Sequence, residues 1–247
     1  MKRYIFVGLL LFTTFAVIFA PASILVRVVD TATAYAELTS ARGTLWQGSA
    51  TLLIERRPIG QIMWDFRPAS LLRLQPTYDW SLNDPEVRLS GFAGVDATGF
   101  ELHASGSFDA SAINPWLTQY DIDLRGIFEL APTTIRLAHA DADGQPTLKD
   151  AQGQLDWSGG VTRYTLSGLT REVLLPAMSA YLEYADGTAQ ATAYTGESDI
   201  PLIIAGPGAP GFFKVSITKH FTKLLRSPWP GSDPDHTVVL EVEQQLY

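Results

Sequence analysis

A two-residue hydrophobic period recurs from residue 43 almost to the C-terminus, and it restricts the chain to a strand-built body. In Thr44–Glu55, Trp46, Gly48, Ala50, Leu52 and Ile54 fall on one face. Leu45, Gln47, Ser49, Thr51, Leu53 and Glu55 fall on the other. Arg57-Pro58 breaks this run, and Ile59–Phe66 reads as its hairpin partner. The clearest alternation is Tyr120–Leu130, with Tyr120, Ile122, Leu124, Phe128 and Leu130 opposite Asp121, Asp123, Arg125 and Glu129. Further strands are predicted at 78–82, 87–92, 100–105, 134–140, 152–157, 163–167, 180–184, 189–194, 202–205, 213–218 and 237–243. Asp143-Gly144, Ser158-Gly159-Gly160 and Asp186-Gly187 supply turns. Only 69–73, 112–117 and 219–226 read as short helices, with a further helix over 28–40. The fold class is mainly β, an antiparallel sandwich, barrel or open curled sheet.

The N-terminus has a different character. Lys2 and Arg3 precede 23 uncharged residues, Tyr4–Val26. As a helix at 1.5 Å per residue this is about 34 Å, enough for a hydrocarbon core of about 30 Å. Ala20-Pro21-Ala22 imitates a signal-peptidase site, but the apolar stretch exceeds a signal-peptide core and Pro21 disfavours cleavage. The expectation is a retained single-pass anchor with a cytoplasmic tip (1–27), a connector (28–42) and two β-modules (43–118 and 119–247). The two basic residues place the N-terminus in the cytoplasm and the remainder across the membrane. Without residues 1–26 the net charge moves from −8 to −10, which excludes a nucleic-acid partner.

Candidate chemistry is sparse. The chain has no Cys, which excludes disulfides, thiolate metal sites and cysteine nucleophiles. Gly206–Gly211 matches GxGxxG formally, but Pro207 and Pro210 remove N–H donors that a phosphate needs. Ser216–Lys219 matches SxxK without its partner motifs. Asp141, Asp143 and Gly144 lack the remaining calcium-loop ligands. Asp121 and Asp123 share a predicted strand face, as a solvated pair or as a metal or acid/base pair. His103, His139, His220 and His236 show no zinc spacing. The expectation is no catalytic residue, no metal, no cofactor and no enzyme activity.

A weak repeat runs through the body. Gly60-Gln61-Ile62-Met63-Trp64 returns as Gly153-Gln154-Leu155-Asp156-Trp157, and Arg42-Gly43 has its counterpart in Arg125-Gly126. The extra length of the second copy is assigned to Asp141–Lys149. Two related β-modules follow from this pattern. Trp46, Trp64, Trp80 and Trp157 read as core residues or as a groove lining.

The string Gly43-Thr44-Leu45-Trp46-Gln47-Gly48, shortly after an apolar N-terminus, resembles the type II secretion system protein N (GspN) family. Leu52-Leu53-Ile54, Ile62-Met63-Trp64 and Ser70-Leu71-Leu72-Arg73-Leu74 continue the resemblance, and Gly153–Trp157 extends it into the second half. Gly126-Ile127-Phe128 stands where a second Gly-Thr-Leu-Trp would be. The resemblance implies an inner-membrane accessory protein with a periplasmic β-domain related to AsmA-like lipid-handling proteins. It implies other inner-membrane secretion proteins as partners and carries over no catalytic residue. Gly43, Thr44, Leu45, Trp46, Gln47, Gly48, Trp64 and Trp157 are the candidate interface residues. A lipid-binding module is the competing expectation, and unpaired sheet edges leave a homo-oligomer open.

Overall fold

The computed structural model describes residues 2–32, 36–139, 147–166, 168–196, 198–209 and 212–245. By internal contacts the chain divides into two units, Met1–Gly94 and Val95–Tyr247. Among the described residues, thirteen strands form an antiparallel sheet that does not close on itself, and three more form a separate small sheet.

In the first unit, α1 (Lys2–Ile18) and α2 (Ser23–Ala32) precede β1 (Ala36–Gly43). The apolar run is therefore not one continuous helix: it breaks around Pro21, which lacks the N–H needed to continue it. Among the described residues no helix is long and apolar enough to cross a membrane. Four strands follow: β2 (Gln47–Ile54), β3 (Arg57–Phe66), β4 (Thr77–Asn83) and β5 (Val87–Val95), paired in chain order. The predicted helix at 28–40 ends at Ala32, and the Ala-rich segment beyond it pairs as β1 with β2, Leu38 opposite Leu52. Arg57-Pro58 does not break the hairpin. The turn is Glu55-Arg56, both at positive φ (50° and 65°), and Pro58 sits opposite Leu53.

Registry puts one apolar face on this sheet. Ala50 faces Ile62, Ile62 faces Leu82, and Leu82 faces Leu89. Trp64 lies between Gly48 and Trp80. The apolar side of α2 supplies Leu25, Val26 and Val29 to a core around Ala22, Leu38, Ala50 and Trp64. A helix with one apolar stripe buries it on such a face.

The second unit begins with β6 (Gly99–Asp109), a short helix α3 (Asn114–Leu117) and β7 (Ile122–Leu124). β8 (Ile127–Ala138), β9 (Leu148–Trp157), β10 (Gly160–Leu166), β11 (Leu169–Leu175), β12 (Met178–Ala185) and β13 (Thr188–Thr195) come next. β14 (Ile203–Pro207), β15 (Phe212–Thr218), α4 (Lys219–Leu224) and β16 (Val238–Gln245) complete it. Its large-sheet order is β6-β8-β9-β12-β13-β14-β15-β16, and the small sheet is β11-β10-β7. The predicted strand 120–130 is in fact two strands in two sheets. Asp121 (φ 56°) and Gly126 (φ 113°) interrupt it. Asp121 therefore caps a turn of 3-10 helix and does not share a strand face with Asp123. The expected insert at 141–149 and the Asp143-Gly144 turn fall largely or wholly on residues 140–146, outside the described residues.

Here too one face is apolar. Leu102 faces Ile135, Leu130 faces Leu155, and Leu155 faces Ala180. Ala193 faces Ile203, Ile203 faces Ile217, and Ile217 faces Leu240. The opposite face carries Glu101, Arg136, Asp150, Gln154 and Glu183. One end of the apolar face is covered by the small sheet and α4, in a core of Trp157, Tyr164, Val173 and Leu175 with Phe221, Leu224 and Leu225.

Candidate functional site

Seven of the eight candidate residues meet in the first unit, at the turn between β1 and β2. Gly43 has φ 93°, a conformation that favours glycine, and a Cβ there would lie 2.5 Å from the Gln47 carbonyl oxygen. The Thr44 N–H donates to that carbonyl (2.8 Å), and the Gln47 N–H donates to Thr44 Oγ1 (3.2 Å). The closed turn projects Leu45 and Trp46 toward the junction of α1 and α2. The Leu45 N–H donates to the Ala20 carbonyl (2.7 Å), and the Ala22 N–H to the Gly43 carbonyl (3.3 Å). Trp46 Nε1 donates to the Val17 carbonyl at 2.7 Å. Val17 lies in the last turn of α1, and its carbonyl also accepts the Ala20 N–H (3.2 Å), so the indole is a second donor at the helix end. Trp46 continues into an aromatic row, 4.9 Å from Phe66, which is 5.1 Å from Tyr78.

Trp64 holds the turn from beneath. It is 5% exposed, and Nε1 donates to the Thr44 carbonyl (3.2 Å). Gly48 gives its ring room: a Cβ at 48 would stand 2.5 Å from the indole Cζ2 and 2.5 Å from the Arg42 carbonyl oxygen. Trp64 is thus a core residue. Trp46 is only half-buried, since it lies outside the strand and packs beside a helix end. Gln47 is exposed at the start of β2.

Trp157 occupies the corresponding place in the second unit. It is 7% exposed, and Nε1 donates to the Arg125 carbonyl (3.1 Å). A Cβ at Gly126 would meet that nitrogen at 2.9 Å. Phe128 stacks on the indole (5.9 Å, 18°). In each unit, then, a tryptophan donates to a carbonyl of the Arg-Gly turn, and a short helix covers the ring.

The other chemical candidates are dispersed. Ser216 donates to Glu241 (3.1 Å), whereas Lys219 is buried and donates to the Gly231 (2.6 Å) and Asp233 (3.0 Å) carbonyls, so the SxxK pattern makes no dyad. Pro207 ends β14, and the last two residues of the GxGxxG match lie outside the described residues. His139 contacts the Asp96 carbonyl (2.8 Å), and His220 lies 3.6 Å from Asp235. No group of three or more metal-ligating side chains occurs among the described residues. On the polar face, His103 (2.8 Å) and Arg136 (2.8 Å) both contact Glu101 and hold its carboxyl below the usual range. A cavity of about 260 Å³ on the β12–β13 hairpin includes Tyr181, Tyr194, Glu183 and Asp186 in its lining. Sequence reasoning missed Phe66 as the partner of Trp46 and Tyr78 as the partner of Phe66. Their spacing across a turn carried no local signal.

The geometry therefore centres on the Gly43–Gly48 turn and its tryptophan. The family model described as type II secretion system (T2SS), protein N matches residues 34–215, roughly three quarters of the chain, and takes in this turn. The chain belongs to that family. Membership makes it a component of the type II secretion system. No curated protein and no solved structure matches it.

Proposed function

We propose that the chain is an inner-membrane accessory of the type II secretion system, anchored by α1 with its β-units in the periplasm. It acts by holding partners, not by catalysis. The exposure of α1 carries this reading: every residue from Tyr4 to Phe19 is exposed, and nearly all are apolar. Such a helix is stable only where something apolar surrounds it. Its 17 residues rise about 25 Å, a few Å short of a bilayer core, a mismatch met by local thinning. Lys2 and Arg3 set the cytoplasmic side. Other inner-membrane secretion proteins are the proposed partners. The test is export of a folded exoprotein in a strain lacking the chain, complemented by the full chain or by one with Leu9→Arg and Leu11→Arg in α1. Loss of export restored only by the unaltered chain supports the reading. Unimpaired export without the chain overturns it.

A second reading, an AsmA-like lipid-binding module, is favoured by the apolar face of the second unit. Phe213, Leu240 and Val242 on that face are exposed. Lipid mass spectrometry of the gently purified chain tests it, and no lipid above the detergent blank overturns it.

A further inference from the structure

The segment between β3 and β4 carries leucines that no core claims. Leu71 is 50% exposed, Leu72 90% and Leu74 83%. The backbone that presents them is well fixed. Residues Pro68–Arg73 form a 3-10 helix, closed by Leu74 at φ 54°. The left-handed region is unfavourable for a branched side chain, so the loop structure enforces it. Ser70 Oγ donates to the Arg67 carbonyl (2.6 Å) and accepts from the Thr77 N–H (3.0 Å), tying the two ends of the loop together. The Gln75 N–H donates to the Ser70 carbonyl (3.3 Å). A rigid loop that exposes three leucines is built to show them to something.

Its position identifies what. The loop begins one residue after Phe66, whose N–H donates to the Trp46 carbonyl (2.7 Å). Trp46 in turn donates to the Val17 carbonyl at the end of α1. The leucine loop and the end of α1 therefore leave the same end of the same sheet, joined by the Trp46–Phe66–Tyr78 row. Where a helix leaves a bilayer, aromatic rings lie at headgroup level. A neighbouring loop with leucines and a cation meets the conditions for shallow insertion. Arg73 is exposed between Leu72 and Leu74, placed for anionic headgroups.

We infer that Leu71, Leu72, Arg73 and Leu74 form a second membrane contact, a loop that inserts shallowly into the leaflet where α1 ends. The inference rests on the proposed anchoring by α1. With two contacts the first unit has a fixed tilt on the membrane, which a single helix does not give.

The chain has no cysteine, so single-cysteine labelling is clean. The full chain carrying Leu72→Cys, Leu10→Cys or Glu86→Cys is labelled with an environment-sensitive fluorophore. It is then reconstituted in vesicles of phosphatidylethanolamine and phosphatidylglycerol containing nitroxide lipids of known depth. Glu86 is exposed in the turn between β4 and β5, at the far end of the strands. The expected result is quenching at 72 by headgroup-level nitroxides, quenching at 10 by deep ones, and none at 86. Adding Leu71→Asp and Leu74→Asp to the Leu72→Cys chain should cause a several-fold loss of the quenching at 72. Quenching at 10 with 72 behaving like 86 overturns the loop contact and leaves the anchor standing. Quenching at 72 without 10 removes the anchor and keeps the contact. No quenching at either removes both. Full quenching at 72 with both aspartates present overturns the assignment to the leucines.

Discussion

Gly48→Ala probes the packing of the family turn with a single methyl group. The added Cβ would lie 2.5 Å from Trp64 Cζ2, 2.9 Å from its Cε2 and 2.5 Å from the Arg42 carbonyl oxygen. Ordinary van der Waals contact begins near 3.4 Å, so about 0.9 Å must be relieved on two sides. Neither neighbour yields readily. Arg42 is paired with Ser49, and the Trp64 ring is held among Ala22, Leu38 and Ala50 with its N–H on Thr44. Overpacking of this kind costs roughly 1–3 kcal/mol. For a unit of this size each kcal/mol lowers the melting temperature by about 4–8 °C. The assay is thermal unfolding of the full chain in detergent, followed by tryptophan fluorescence and circular dichroism. Gly196→Ala is the control, since nothing lies within 4 Å of its Cβ position. A Gly48→Ala chain as stable as the control would refute the close contact between Gly48 and Trp64.

Other outcomes follow from the same contacts. Trp64→Ala should cost about 3–5 kcal/mol as a buried aromatic truncation, whereas Trp46→Phe, which removes mainly the bond to Val17, should cost about 1 kcal/mol; equal losses in denaturant titration would contradict the distinction. Lys219→Ala leaves the Gly231 and Asp233 carbonyls without their donor and should destabilise by roughly 1–3 kcal/mol, with no change in the titration midpoint as the contrary result. The Glu101 carboxyl is held low in the folded state, first by His103 and then by Arg136. Its contribution is therefore present above the unfolded carboxyl pKa of about 4.3 and is lost as pH falls below it toward the lower folded-state value. Glu101→Gln should flatten the melting-temperature profile there, and an unchanged slope would count against the ion pair.

Much of the body was legible because strands half-buried on one face must alternate. That rule located β2 to β6, β9, β10 and β12 to β16 with boundaries within a few residues, but it divided β8 (Ile127–Ala138) between the predicted strands 120–130 and 134–140. It failed where alternation and topology diverge. Tyr120–Leu130 alternates except at Gly126 and Ile127, and it is there that Arg125-Gly126 turns the chain from the small sheet to the large one. β11 reads Leu-Thr-Arg-Glu-Val-Leu-Leu, so adjacent apolar and charged residues hid its period. β1 has the composition of a helix, and pairing with β2 overrode that preference. At the site, the Gly-Thr-Leu-Trp-Gln-Gly string showed that the turn mattered but not its role. The hydrogen bonds to Val17 and Ala20 join residues more than twenty apart, which no local pattern encodes.

The central claim is that this chain works beside other secretion proteins in the inner membrane. Site-specific photo-crosslinking in the native host tests it most directly. The photoreactive residue replaces exposed Met63 or Tyr181, on the polar faces of the two units, and adducts in the inner-membrane fraction are identified by mass spectrometry. The account predicts adducts with other type II secretion proteins from at least one of the two positions. Adducts exclusively with proteins outside that system, or recovery of the chain away from the inner membrane, would contradict it.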